Sequence, residues 1–216
     1  MYELIILSQL MLQPAHGYMI ASIINDMIGP YARISNGRLY PLLSKLEKTG
    51  LIAPYTEAPV GQQGDRQLRT YKITEAGRKR FHELMMDTTS NPGEYQKIFL
   101  QKVSMLEFLK PSERLRLIDH YINYCQVHVM HMTAEADDLV QRSPDWGSEW
   151  GPSRLKAVLD VMQHMIDQWQ VELDWAKALR ERELARVESD TSVVLIVEQS
   201  RKSLIQREDK YSPEGD

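Results

Sequence analysis

The sequence has few of the features that mark secreted, membrane-spanning or low-complexity proteins. It has one cysteine, Cys125, among 216 residues, which excludes an intramolecular disulfide framework and a cysteine-rich zinc site. Apolar runs such as VVLIV are far shorter than the ~18 residues that cross a membrane. The 11 glycines and 10 prolines are too few for a collagen-like or low-complexity chain. The N-terminal MYELIILSQL contains an acid and no basic segment, unlike a secretory signal. These absences predict a cytoplasmic protein with a buried core.

Signatures of catalysis and cofactor binding are also absent. The sequence contains no G-x-S-x-G, no phosphate-cradling glycine loop and no dinucleotide fingerprint. His128 and His131 are one helical turn apart, and His120 precedes them on the same predicted helix. No cysteine pair or H-E-x-x-H supplies the third and fourth ligands that a zinc ion needs. We therefore expect no enzyme activity, no cofactor and no metal site.

The charge of the chain is unevenly distributed. Residues 31–80 contain ten lysines and arginines and four acids, a net charge of +6, whereas the whole chain carries −4. A basic block in an acidic chain indicates a module that binds a polyanion, joined to a domain with another role. Charge alone leaves open an unevenly charged, solvated surface.

The N-terminal part has the order of elements of a winged helix-turn-helix. Apolar residues at helical spacing predict helices over residues 1–12, 16–28 and 36–48. Two extended segments follow, over residues 51–56 and 67–73. Three helices and a two-stranded hairpin in this order are typical of that fold.

Four residues define the ends of these elements. Ser35 is a candidate N-cap of the third helix, and Gly50 lies where that helix ends in a positive φ. Pro54 restricts the first strand to a sheet edge. Thr74 is a candidate N-cap of a fourth helix.

The C-terminal part is predicted to be helical. The segment TTSNPG at residues 88–93 is a candidate domain boundary, and a helix over 94–109 follows it. Two long helices come next, separated by a loop at residues 143–152. Each carries an apolar heptad seam: Leu115, Ile118, Ile122, Cys125, Val129, Met132, Ala136 and Leu139 in the first, and Leu155, Leu159, Met162, Ile166, Trp169, Leu173 and Ala176 in the second.

Seams of this regularity pack on each other or on a partner subunit, which indicates an antiparallel helical dimerisation domain. The fold class is thus mainly α, with a winged helix over 1–88, a helical domain over 94–186 and a partly disordered tail over 187–216. Within the tail, residues 192–207 are predicted to form a weak helix. The predicted dimer interface comprises Ile118, Ile122, Cys125, Val129, Met162, Ile166, Trp169 and Leu173. Cys125 lies on the seam, which favours core packing over a redox role.

Three strings in the first 85 residues resemble the PadR family of bacterial transcriptional regulators. SNGRLYPLLSKLEKTGLI at 35–52 resembles the family's recognition helix and first wing strand. HGYMIASII at 16–24 is similar to its second helix, except that Met19 replaces the usual acid. RTYKITEAGRKRF at 69–81 resembles its strand-to-helix segment. The length of the C-terminal part resembles the phenolic-acid-responsive type, which has a large helical C-terminal domain.

The resemblance implies a DNA interface. The first turns of a recognition helix read bases in the major groove, where arginine pairs with guanine and asparagine with adenine. The wing residues reach the flanking minor groove or its phosphates. The predicted DNA-binding residues are Tyr18, Ser35, Asn36, Arg38, Tyr40, Lys45, Gln62, Gln63, Arg66 and Arg69. For Arg78, Lys79 and Arg80, phosphate contact and a solvated helix face both stay open.

The function implied is that of a homodimeric repressor on a pseudo-palindromic operator. By the same resemblance, a small aromatic effector such as a phenolic acid releases the DNA. Trp146 and Trp150 are candidate effector contacts, because large aromatic residues in a loop need a surface to pack on. Two alternatives stay open: a winged-helix activator without a small ligand, and a winged helix used for protein interaction.

Overall fold

The N-terminal half alternates helices with short strands. The computed structural model describes residues 1–29, 31, 33–55, 69–142 and 152–209, and of residues 152, 188 and 190–209 it describes the backbone alone. The first elements are α1 (Tyr2–Leu12), β1 (Ala15–His16), α2 (Gly17–Ile28) and α3 (Asn36–Lys48). They are followed by β2 (Ile52–Tyr55), β3 (Thr70–Ile73), α4 (Glu75–Met86) and α5 (Tyr95–Val103). The predicted winged helix is confirmed.

The wing is part of a three-stranded antiparallel sheet with the order β1-β3-β2. β2 pairs with β3 as predicted, with Ile52 opposite Ile73, and Pro54 lies on an edge strand. The third strand was not predicted: Ala15 pairs with Tyr71 on the other side of β3. Two residues are too few to show the alternation by which strands are recognised in sequence.

Helix α1 is the centre of the N-terminal unit. Every residue from position 4 to position 10 is buried, including the polar Ser8 and Gln9. A helix that is buried on all sides has no polar face, in contrast to the amphipathic helices around it. α1 therefore anchors the sheet and the other helices of this unit.

Thr74 and Gly77 join the wing to α4. The Thr74 hydroxyl accepts a hydrogen bond from the Gly77 N–H at 3.0 Å, which confirms Thr74 as the N-cap. The same hydroxyl donates to the Gly50 carbonyl at 2.6 Å. A Cβ on Gly77 would lie 2.0 Å from the carbonyl oxygen of Leu51. Glycine at position 77 therefore lets α4 begin directly against the end of α3 and the start of β2.

The first compact unit extends further than the sequence indicated. It spans Met1–Leu109, so the division falls at Leu109 rather than between residues 88 and 94. The reason is that α5 packs into this unit. Tyr95 and Phe99 of α5 are buried, and the rings of Phe81 and Phe108 meet edge to face at 5.9 Å. The helix predicted over 94–109 ends at Val103, and a short 3-10 turn follows at Leu106–Phe108.

The second compact unit, Lys110–Asp216, contains two long helices, α6 (Pro111–Arg142) and α7 (Pro152–Asp209). They pack antiparallel on each other. Tyr121 donates to a Glu172 carboxylate oxygen at 2.5 Å, and Arg180 pairs with Asp119 at 2.5 Å. The predicted seams meet within one chain, so the first of the two packing alternatives is observed.

The C-terminal tail is an extension of α7. The weak helix predicted over 192–207 is part of one continuous helix to Asp209, because no proline or glycine interrupts residues 153–209. Residues 210–216, at the end of the tail predicted to be partly disordered, lie outside the described residues. Among the residues described, no helix combines the length and apolar composition needed to cross a membrane.

Candidate nucleic-acid interface

Helix α3 presents a polar first turn above a buried leucine stripe. Leu39, Leu43 and Leu46 are buried, which fixes the rotation of the helix about its axis. Ser35 occupies the N-cap position, and its carbonyl accepts from the N–H groups of Arg38 and Leu39 at 3.0 Å. Its side chain makes no capping bond, unlike the cap that the sequence predicted. The hydroxyl is therefore not used in holding the end of the helix.

The predicted DNA-binding residues that the structure describes are at the surface. Ser35, Asn36, Arg38 and Lys45 are exposed on α3, Tyr18 is 74% exposed and Tyr40 is 47% exposed. Arg38, Tyr40 and Lys45 lie off the buried leucine stripe, whereas Asn36 lies on the side of Leu39 and Leu43 and is exposed at the start of the helix. Gln62, Gln63 and Arg66 of the wing lie in residues 56–68, outside the described residues.

Tyr2 is a residue of this surface that sequence reasoning missed. The guanidinium carbon of Arg38 lies 4.9 Å from the centroid of the Tyr2 ring. A guanidinium over an aromatic face is attracted by the ring quadrupole. The contact joins the start of α1 to the first turn of α3. No local pattern could have indicated it, because 36 positions separate the two residues along the chain.

Tyr40 has a packing role in addition to its exposed position. A Cβ on Gly17 would lie 3.1 Å from Cε1 of Tyr40 and 3.3 Å from its hydroxyl oxygen. The Tyr40 ring therefore rests against the first residue of α2. The same turn is capped by His16, whose Nδ1 accepts from the Met19 N–H at 3.1 Å. Tyr18 lies beside this cap, with its ring stacked on that of His16 at 6.3 Å between centroids.

Arg69 at the base of the wing is paired with an acid. Its Nη2 lies 2.6 Å from Oε1 of Glu47 on α3, and its guanidinium carbon lies 5.6 Å from the centroid of the Tyr71 ring. The arginine side chain is 61% exposed and that of Glu47 is 22% exposed, so solvent reaches the pair mainly from the arginine side. A solvent-exposed pair of this kind is worth about 0–1 kcal/mol, little enough for a phosphate to replace the carboxylate.

The basic run on α4 is divided between structural and solvated residues. Arg80 donates to Glu3 at 2.9 Å and to Glu83 at 3.2 Å, and the bond to Glu3 raises the pKa of the arginine. Arg78 approaches the sulfur of Met11 at 3.4 Å. Both arginines thus contact α1, whereas Lys79 is exposed. The ion pair with α1 gives Arg80 a structural role, which is neither of the two alternatives left open from the sequence.

The predicted dimer-interface residues lie on α6 and α7, the two helices that pack on each other. Ile118, Cys125 and Leu173 are buried within the single chain and expose almost no surface to a second copy. Ile122, Val129, Met162, Ile166 and Trp169 are half-buried. Burial raises the pKa of the Cys125 thiol to about 11, so the sulfur stays protonated as a packing group at neutral pH.

An aromatic cluster in the same unit includes His128, one of the histidines considered as a metal ligand in the sequence. The His128 ring stacks on Trp169 with centroids 4.0 Å apart and planes 8° apart, and Tyr124 meets both rings at an angle. Burial lowers the pKa of His128, with the nearby His131 acting in the same direction. Within the described residues, no three potential ligands converge to hold a metal ion. Trp146 and Trp150 fall in residues 143–151, outside the described residues.

Comparison with known proteins bears on the N-terminal unit. Residues 6–83 match the family described as "Transcriptional regulator PadR-like family", a stretch that runs from α1 into α4. No curated protein matches the chain.

Solved structures similar to this chain come from several bacteria. Bacillus subtilis PadR in complex with operator DNA is 17% identical, over 84% of this chain and 96% of that chain, with a TM-score of 0.37. The same protein in complex with p-coumaric acid is 18% identical, over 84% and 97%, with a TM-score of 0.34. The Vibrio cholerae virulence activator AphA is 18% identical, over 86% and 99%, with a TM-score of 0.34. TM-scores of this size support no statement about the function of this chain.

Proposed function

Residues 6–83 match the PadR-like family of transcriptional regulators, and from this match we propose that the protein is a homodimeric, sequence-specific DNA-binding repressor. One observation carries the proposal. The exposed Asn36 and Arg38 occupy the first turn of α3, and the helix is held on the core by its buried leucines, with Arg38 off that stripe. A helix held in this way can enter the major groove with its first turn against the base edges.

The predicted contacts divide between base edges and the sugar-phosphate backbone of the DNA in this proposal. Arg38 bridges O6 and N7 of a guanine, and Asn36 pairs with an adenine. Lys45, further along the exposed side of α3, binds a phosphate, as do Arg69 and the wing residues Gln62 and Arg66. Tyr18 and Ser35 contact the sugar-phosphate backbone of the DNA. The basic surface around α3 attracts any DNA, whereas the first turn selects the sequence.

The homodimer is the part of the proposal that depends on α6 and α7. Two copies related by a two-fold axis fit a pseudo-palindromic operator with half-sites about one helical turn apart. The half-buried Ile122 and Val129 of the predicted interface keep some surface for a partner. Val127 and Met130 are 52% and 68% exposed on α6 and add apolar area nearby.

Sedimentation tests the dimer. Met130→Glu is expected to give folded monomers, because it charges an exposed position without entering the α6–α7 contact. Ile122→Asp is expected to unfold the second unit or cause aggregation as well. A folded dimer that still binds DNA after Ile122→Asp would refute the seam as the basis of the dimer.

Release by a small aromatic effector such as a phenolic acid rests on the family resemblance. The ligand acts by population shift, binding better to a dimer whose two recognition helices are wrongly spaced for the operator. A 100-fold loss of DNA affinity needs about 2.7 kcal/mol of coupling, within the ordinary range for allosteric proteins.

Fluorescence anisotropy tests DNA binding. The protein is titrated into DNA from the region upstream of its own gene and into scrambled DNA of equal length, over a salt series. Specific binding with a steep negative salt slope supports the proposal. An equal affinity for both DNAs favours the alternative of an interaction module.

Two variants identify the recognition helix in the same assay. Arg38→Ala is expected to cost ~1–3 kcal/mol per half-site and to relax the preference at one base pair. Lys45→Met is expected to weaken binding to both DNAs alike and to reduce the salt slope by about 1. Lys156→Met, in the second unit, is the control. Unchanged specificity in Arg38→Ala would remove the assignment of α3 as the base-reading helix.

A further inference from the structure

Helix α7 is much longer than the helix on which it packs. α6 has 32 residues and α7 has 58. Near the start of α6, Arg114 pairs with Glu183 of α7 at 3.4 Å. Because the two helices run antiparallel, the first residue of α6 lies level with Arg186, and α7 continues beyond that level. At 1.5 Å per residue, residues 188–209 extend roughly 33 Å past the start of α6, every residue of which the structure describes.

The apolar seam of α7 continues into this extension. On the part of α7 beside α6, the seam includes the buried Leu173 and Ala176. Steps of three and four residues carry the same seam past Arg186 to six further positions. They are Val187, Asp190, Val194, Val197, Arg201 and Leu204. Four of the six are apolar, and the other two are one acid and one base. The extension therefore carries a helix-pairing seam that α6 does not reach.

The six positions complement themselves when a second copy runs in the opposite direction. A two-fold axis midway between Val194 and Val197 sets these two residues opposite each other in the two copies. The same axis sets Asp190 of each copy opposite Arg201 of the other. The first and last of the six positions, both apolar, also meet. A parallel pair in register would set acid against acid and base against base, so the charged positions select the antiparallel direction.

We propose that residues 187–204 of α7 pair antiparallel with the same segment of a second copy and thereby join two homodimers into a tetramer. The partner is another copy of this chain because the seam complements itself in its apolar and in its charged positions. A tetramer holds two operators, and binding of the first raises the effective concentration of the protein at the second. The pairing rests on the segment alone, whereas the homodimer and the operators rest on the proposed function.

This pairing is separate from the dimer contact proposed around the exposed Met130 of α6. Trp169 of α7 stacks on His128, which lies two positions before Met130. From Trp169 to the axis between Val194 and Val197, α7 covers roughly 40 Å at 1.5 Å per residue. Two copies paired through the extension therefore hold their Met130 surfaces roughly 80 Å apart. A chain that uses both contacts has two different partners, which is the arrangement of a tetramer.

Sedimentation of the full-length protein without DNA tests the pairing. One chain has a mass of 25.1 kDa, and tetramers have twice the mass of dimers, so the two species are readily separated. The paired segment is short and part of its seam is charged, so we expect dimers at low protein concentration and tetramers at high concentration. Circular dichroism checks that each variant below keeps its helix content.

Charge reversal on the seam tests both the contact and its direction. Asp190→Lys and Arg201→Glu are each expected to weaken the association of dimers into tetramers about ten- to hundredfold, because two attractive pairs become repulsive. The double variant Asp190→Lys/Arg201→Glu exchanges the two charges and is expected to restore the tetramer. Glu188→Lys and Lys202→Glu are the matched controls. They make the same changes of charge close by but off the seam, and we expect them to leave the tetramer unchanged.

Three results would overturn the pairing. The first is equal association by Arg201→Glu and the unaltered protein. The second is a double variant that associates as weakly as the single variants. The third is a set of single variants with an unchanged mass but a lower free energy of unfolding, because this result would place the extension against its own chain.

Met130→Glu distinguishes this pairing from the proposed function. We expect this variant to give monomers at low concentration and extension-paired dimers at high concentration, and the further change Arg201→Glu to leave monomers throughout. Dimers of the unaltered protein that Arg201→Glu alone converts to monomers uphold the pairing and overturn the dimer around Met130. Tetramers that bind upstream and scrambled DNA equally uphold the pairing and overturn the proposed repressor.

Discussion

The guanidinium of Arg38 lies over the ring of Tyr2, with 4.9 Å between the guanidinium carbon and the ring centroid. This contact restrains the side chain that we assign to guanine. An arginine whose rotamers are already restricted loses less conformational entropy when it binds a base edge. Tyr2 is thus a positioning residue for recognition, although it lies outside the recognition helix.

Replacement of Tyr2 tests this role. Tyr2→Leu is expected to weaken specific DNA binding by about 0.5–1 kcal/mol, the worth of an exposed cation–π contact, and to leave non-specific binding unchanged. Tyr2→Phe keeps the ring and is expected to restore specific binding. Anisotropy on specific and scrambled DNA measures both. An equal loss in Tyr2→Leu and Tyr2→Phe would assign the effect to the hydroxyl instead.

Glu47 is expected to restrain Arg69 in the free protein. In Glu47→Gln the arginine loses its carboxylate partner at 2.6 Å and becomes available to a phosphate. Affinity for scrambled DNA at low salt is expected to rise, and the salt slope to steepen by about 1 for each added phosphate contact. Glu75→Gln, an exposed acid on α4, removes the same charge elsewhere and controls for the change in net charge. A rise of equal size in both variants would contradict a specific role for Glu47.

Gly77 is required by the approach of α4 to β2. Gly77→Ala places a Cβ 2.0 Å from the Leu51 carbonyl oxygen, so the backbone must move. We expect a loss of ~1–3 kcal/mol in the free energy of unfolding, the usual effect of overpacking, measured by urea denaturation. Gly93→Ala is the control, because no atom lies within 4 Å of a Cβ there. If Gly77→Ala were as stable as Gly93→Ala, α4 would be able to move away from the Leu51 carbonyl without a loss of stability.

Lys102 makes the stability of the first unit depend on pH. Its ammonium donates to the backbone carbonyl of Asp87, and burial lowers its pKa from 10.5 to about 8, with Asp87 acting in the opposite direction. Between about pH 8 and 10.5 the unfolded chain therefore binds more protons than the folded one, so stability rises with pH in this window. Below pH 8 both states are protonated and the contribution is constant.

Urea denaturation across this pH range checks the effect of Lys102. Lys102→Met is expected to remove the rise of the unfolding free energy with pH. Lys79→Met, which replaces an exposed lysine on α4, is expected to keep that rise. The Cys125 thiol, with a pKa raised to about 11, lowers stability as the pH rises. Because both proteins contain this thiol, the difference between their unfolding free energies at each pH reports the lysine alone. An identical pH dependence in Lys102→Met would contradict the assignment.

Predictions from sequence succeeded where a signal is local. The leucine stripe of α3, the cap at Thr74 and the positive φ of Gly50 are each encoded within a few residues of where they act. The base-reading positions followed from the same short strings and from the family resemblance. Their exposure agrees with that assignment, and their contact with DNA stays a prediction.

Predictions failed or fell short where a feature depends on distant residues. The strand Ala15–His16 exists because β3 offers it an edge, 54 or more positions later in the chain. The expected boundary at residues 88–93 followed a composition of turn residues that marks a loop, but α5 beyond it packs into the same unit. The seams could not decide between a partner helix in the same chain and one in another copy, because both present the same apolar stripe.

The sequence by itself determined the order of the elements, the polar first turn of α3 and the match of residues 6–83 to the PadR-like family. These depend on spacing and on short motifs, which act over a few residues. Only the tertiary structure placed Tyr2 against Arg38 and Glu47 against Arg69. Such contacts join residues that are remote in the chain, and their geometry exists only once the helices have packed.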